Sequence, residues 1–146
     1  NSQQQAVMAS QDAAIPAAQE RARQARERQI QAEQAVVAAQ QNLTTAQYNV
    51  QRVRELNNQG LRSRRDRELA ELDFVRARTD VERARAALQV AQRDVSVARL
   101  DQSRITADTT ASVQSTGASM ASAQETIAGL TSDLAKIDID IQNMRQ

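Results

Sequence analysis

Guanidinium groups dominate the chemistry available to this sequence. Lys and Arg together number 19 against 18 Asp and Glu, and Lys136 is the only lysine. Arg52, Arg54, Arg62, Arg64, Arg65 and Arg67 crowd into one short stretch, interleaved with Glu55, Asp66 and Glu68. An Arg fork grips a carboxylate through two parallel hydrogen bonds, or bonds to the carbonyls of a facing helix end. That is recognition chemistry. The groups on which catalysis usually draws are missing. With no His and no Cys, the chain lacks the commonest general base, the thiol nucleophile and the commonest metal ligands. Asp138 and Asp140 are two positions apart, so they do not share a helix face. Ser and Thr are plentiful, but no His or activating Lys accompanies them in pattern. The sequence reads as that of a non-enzyme and implies no cofactor and no metal.

A basic cluster also raises nucleic-acid binding. The net charge of +1, the 1% aromatic content and the absence of a basic-region helix argue against it. Nor does the bulk charge imply an anionic membrane. Without Cys no disulfide forms, which leaves the redox compartment open. No apolar run approaches the length of a membrane-spanning helix, and no signal peptide stands at the start. If the segment belongs to a longer chain, that absence carries no information.

The elements that must position this cluster are helices. The 146 residues are 40% hydrophobic, with one Pro and three Gly. Ala, Val and Leu amid abundant Gln and Arg suit a thin helix-on-helix seam better than a globular core. Asn1 to Ala14 is Gln-rich and predicts helix. Pro16 either kinks that helix or opens a new one at its first turn. Met8, Ile15 and Ala22 pass through the proline in phase, seven apart.

From Ala18 the pattern is regular. Ala18, Ala25, Ala32, Ala39, Ala46 and Val53 recur at seven, each followed four residues later by Ala22, Gln29, Val36, Leu43, Val50 and Asn57. This is a coiled-coil seam. It fails at Asn57-Asn58-Gln59-Gly60, where Gly60 supplies the positive φ of a helix stop. Ser63 then caps a new helix, with Asp66 in the capping-box position. The code resumes as Ala70, Ala77, Ala84, Ala91, Ala98 and Ile105, with Phe74, Val81, Leu88, Val95 and Gln102 four residues on. Pro16–Asn57 and Arg64–Ile105 are both 42 residues long, roughly 60 Å of helix each. Equal arms joined by a short connection predict antiparallel neighbours.

Ser103 to Ser119 breaks the code with Thr106, Thr109, Thr110, Ser112, Ser115, Thr116 and Gly117, and predicts a weak, bent or interrupted section. An apolar stripe returns as Met120, Ala123, Ile127, Leu130, Leu134, Ile137, Ile141 and Met144. Its partner is the N-terminal helix, an upstream segment, or a second copy. The expected fold is all-α: a long antiparallel coiled-coil hairpin over 16–105 with its tip at 57–63, a helical segment over 1–15, and a helical extension of the descending arm over 106–146.

The spacing Arg52, Leu56, Ser63, with Gly60 and Leu61 before the serine and Asp66 after it, resembles the tip motif of periplasmic membrane fusion (adaptor) proteins of the HlyD/AcrA/MacA type. The resemblance covers Pro16 to about Ile105. The lipoyl, β-barrel and membrane-proximal segments of a complete adaptor are missing, so the sequence resembles the hairpin domain alone. The resemblance implies a periplasmic adaptor, anchored to the inner membrane in its full-length form. Such an adaptor serves type I secretion or efflux. It bridges an inner-membrane exporter (ABC or other) and a TolC-like outer-membrane channel, and copies associate side by side. It makes Arg52, Leu56, Gly60, Leu61 and Ser63 the partner-binding tip. Each has a plainer role: Ser63 as a cap, Leu56 closing the seam, Arg52 as a solvated or ion-paired side chain. The rival expectation is a coiled-coil spacer or dimerisation rod, with no special role for the tip. A surface-active amphipathic helix fits poorly with so narrow a stripe.

Overall fold

A computed structural model describes residues 2–145, apart from the side chain of Gln4. Helix α1 spans Ser2–Asn58 and helix α2 spans Arg64–Met144; among the described residues there is no strand. Five residues, 59–63, join the two helices. By packing, the chain divides between Ser103 and Arg104.

The first part is the antiparallel hairpin. The buried residues are Ala18, Ala22, Ala25, Val50 and Val53 from α1, and Ala70, Ala77, Val81, Ala91 and Val95 from α2. All fall on the heptad lines, and every other position of those lines in the hairpin is half-buried. The order of facing residues shows the direction. Near the turn, Val50 and Val53 cluster with Ala70, and Phe74 packs against them. Near the far end, Ala18 and Ala25 share a shallow groove with Asp94, Ala98 and Asp101. Numbers fall on one arm as they rise on the other.

The alanine lines explain how so poor a set of side chains makes a stable seam. A methyl-sized side chain lets two helix backbones approach closely, so dispersion contacts accumulate along the length of the arms. Burying a valine contributes roughly 2 kcal/mol. Val50, Val53, Val81 and Val95 therefore act as anchors between alanine stretches.

Pro16 lies inside α1, which continues through it. The alternative of a new helix start at Pro16 is thus excluded. Pro16 lacks the N–H that would bond to Asp12, but the helix continues on both sides. Burial fades towards the N-terminus: Ala22 is buried, Ile15 half-buried and Met8 exposed.

The second part, 104–145, is helical, and α2 runs through 103–119 without the interruption that the Ser/Thr content predicts. Each Ser or Thr costs only about 0.5 kcal/mol against Ala, and no proline is present there. The hydroxyls of Thr109 and Thr110 donate to the carbonyls of Ile105 and Thr106 at 2.9 Å, one turn back, so they add bonds without displacing the backbone ladder. Ile105, Thr109, Ser112 and Thr116 are half-buried, and from Gly117 to Arg145 every described residue is exposed.

Candidate functional site: the hairpin tip

The reversal is built from backbone geometry. Gly60 has φ of 76°, the only positive φ among the described residues. It ends α1 in a Schellman motif. The Leu61 N–H donates to the Leu56 carbonyl (2.9 Å) and the Gly60 N–H to the Asn57 carbonyl (3.0 Å). Two of the carbonyls that a helix end leaves unmatched are thereby satisfied.

Helix α2 opens with a reciprocal capping box. The Asp66 N–H donates to Ser63 Oγ (3.1 Å), and the Ser63 N–H donates to Asp66 Oδ2 (3.4 Å). The Asp66 carboxylate also faces the α2 N-terminus, where negative charge is favoured. Asn57 ties the two helices together. Its Nδ2 donates to the Arg62 carbonyl (2.9 Å), and its Oδ1 accepts from Arg67 Nη1 (3.5 Å). Just below, Arg54 Nε reaches across the arms to Glu71 Oε1 (3.1 Å), and Arg67 Nε lies 3.6 Å from the same oxygen. These ion pairs are partly exposed, so each contributes at most about 1 kcal/mol. Their value is to fix the stagger of the arms beneath the turn.

The five tip residues do not form one patch. Gly60, Leu61 and Ser63 are at the apex, and Leu61 is 69% exposed. Leu56 is half-buried, which leaves it divided between the seam and the surface. Arg52 sits roughly 12 Å down the helix from Gly60, with Nη2 donating to Asn49 Oδ1 (3.1 Å). It lines a shallow groove with Asn42, Thr45, Tyr48, Asn49 and, from α2, Asp73. The site is therefore an apolar apex with a basic flank.

Most of the surrounding arginines are engaged. Arg64 pairs with Glu68 (3.1 Å), and Arg62 lies 3.9 Å from Asp66. Arg65 is exposed and forms no ion pair or side-chain hydrogen bond among the described residues, so its guanidinium is open to a partner's carboxylate.

The sequence placed Asn57 in the turn and Arg54 in the basic cluster without assigning either a contact across the turn, and it did not single out Glu71. Asn57 carried a signal, because it is a polar residue on a seam line otherwise filled mainly by aliphatic side chains. The Arg54–Glu71 pair, 17 positions apart, carried none. No protein-family model matches the chain, and no curated protein matches it. Among the described residues no helix is long and apolar enough to cross a membrane, and no cluster of acidic, His or Cys side chains could hold a metal ion.

Proposed function

We propose that this chain is the helical hairpin of a periplasmic adaptor in a tripartite export system, and that its apex docks onto a TolC-like outer-membrane channel. The observation that carries this is the apex itself. A Schellman stop and a capping box hold Leu61 in the open at the end of two antiparallel arms, with Arg65 in the first turn of α2 and Arg52 on the flank roughly 12 Å below as guanidinium donors. A rigid apex spares the partner the entropic cost of ordering a loop. The exposed leucine supplies an apolar anchor, and the arginines suit carboxylates or carbonyls at a helical channel end. The resemblance of the Arg52–Leu56–Ser63 spacing to the adaptor motif supports the same partner. The inner-membrane exporter is engaged by other domains of the full-length protein, and neighbouring hairpins stand side by side. The role is bridging and recognition, not catalysis.

Leu61→Cys, introduced into the full-length protein, places a cross-linking handle at the apex of a hairpin that has no cysteine of its own. It should cross-link to the outer-membrane channel in cells, and Arg52→Asp with Leu56→Ser should abolish both cross-link and export. Ser63→Asp separates two roles of that residue, because Asp caps a helix about as well as Ser. Lost channel association at unchanged stability would assign Ser63 to the contact. Undiminished export in the Arg52→Asp, Leu56→Ser variant sinks the tip assignment.

The second reading is a coiled-coil spacer or dimerisation rod, favoured by the exposed apolar stripe of 120–144. It predicts a tight dimer in sedimentation and normal function with a mutated tip.

A further inference from the structure

The apex is closed by two caps, and each is local to its own helix. The Schellman bonds run from Leu61 and Gly60 back to Leu56 and Asn57, within α1 and its stop. The capping box runs between Ser63 and Asp66, within the first turn of α2. Arg62 lies between them, and neither cap engages its peptide groups. The caps therefore leave the φ and ψ of Arg62 free. A further contact must set the path from Leu61 to Ser63.

Asn57 supplies that contact. Its Nδ2 donates to the Arg62 carbonyl (2.9 Å), and its Oδ1 accepts from Arg67 Nη1 of α2 (3.5 Å). Arg67 in turn faces Glu71, which accepts from Arg54 of α1. Asn57, Arg67, Glu71 and Arg54 thus form a chain that leaves α1, crosses to α2 and returns. The turn is tied to it through one carbonyl.

This polar layer is a poor source of stability. The Asn57–Arg67 bond is long, and Arg67 Nε is buried with no hydrogen-bond partner. A half-satisfied polar layer holds a seam less well than an apolar one. Further down, the same heptad line carries Val36, Leu43 and Val50. Asn57 is half-buried at its end, where a leucine would add to the seam. A polar residue at one seam position trades stability for a single defined arrangement.

We infer that Asn57 is a positioning residue: it gives up seam stability to hold Arg62, and through Arg62 it fixes the direction in which Leu61 is presented. The inference rests on the reading of the apex as a docking point and deepens it. A partner meets one preset conformation of 61–63 and is spared the cost of ordering it.

The test is Asn57→Leu, with Asn58→Ala as its control. Asn58 is the exposed last residue of α1, and its side chain forms no hydrogen bond among the described residues. In the full chain, Asn57→Leu should melt no lower than the unaltered protein. Its backbone amide order parameters at Leu61, Arg62 and Ser63 should nonetheless fall from about 0.85 to below about 0.6. Asn58→Ala should leave those order parameters unchanged. In the full-length protein carrying Leu61→Cys, Asn57→Leu should cut cross-linking to the channel about tenfold, because 61–63 must then be ordered on docking. A lower melting temperature in Asn57→Leu assigns the residue to stability and overturns the inference. So does an apex that stays ordered, an apex loosened equally by Asn58→Ala, or a cross-link yield that does not fall. Failure of the docking reading shows separately, as no cross-link from Leu61→Cys with Asn57 in place, and the order parameters then still decide the role of Asn57.

Discussion

Val81 and Ile137 lie on the same heptad line of the same helix, yet Val81 is 2% exposed and Ile137 54% exposed. The hairpin, built on alanine, is buried. The distal stretch, which carries larger apolar side chains, is not. The difference teaches that hydrophobicity along a helix measures a capacity for burial, not burial itself. Apolar area stabilises only when another surface removes it from water. In the hairpin that surface is supplied by the same chain through a five-residue turn, at low cost in loop closure.

The largest test of the contrast is a charge placed on each side of it. Val81→Asp should lower the free energy of unfolding by about 3 kcal/mol or more, since an unpaired carboxylate enters the seam. Ile137→Asp should stay within about 0.5 kcal/mol. Urea unfolding followed by circular dichroism gives both values, and equal losses would break the comparison.

The glycines give a smaller test, with a change of sign. Gly60→Ala should destabilise by about 1 kcal/mol, because φ of 76° strains any side chain. Space is not the obstacle, as an added Cβ would meet nothing within 4 Å. Gly117→Ala, inside α2 and equally unobstructed, should strengthen its stretch of helix by about 0.5–1 kcal/mol. Thermal melts of the two variants should move in opposite directions.

The smallest effect is electrostatic. The Arg23 guanidinium, hydrogen-bonded to Glu20 at 2.7 Å, holds the Glu20 carboxyl below its ordinary value of 4.5. A carboxyl whose pKa is lowered by folding contributes stability above its unfolded value, and the contribution is lost as pH falls through the folded value. The loss therefore lies below pH 4.5. Arg23→Gln should raise the Glu20 midpoint in a carboxyl-carbon NMR titration; an unmoved midpoint refutes the pairing.

Much of the hairpin was legible because its determinants are local or periodic. The two seam lines follow from spacing alone, and every position on them between Ala18 and Ile105 is buried or half-buried. Gly60 and the Ser63–Asp66 pair were legible for a similar reason, since turn and cap chemistry depends on neighbours within four residues. The Ser/Thr stretch carries no interruption, because propensity sums only weakly unfavourable terms and the helix persists with hydroxyls bonded one turn back. The grip of Asn57 on Arg62 and Arg67 needed the turn's actual path.

By itself, the sequence determined that the chain is helical, where it reverses, and which residues line the seam, because heptad phase and capping act over one or two turns. Tertiary structure alone decided the rest. It spread the tip residues into an apex and a flank, because 1.5 Å per residue carries Arg52 down the arm while the Schellman turn lifts Leu61 clear. It set Arg54 against Glu71 through the stagger of the arms. It also left Met120 to Met144 uncovered, because burial depends on what faces a stripe as well as on what the stripe contains.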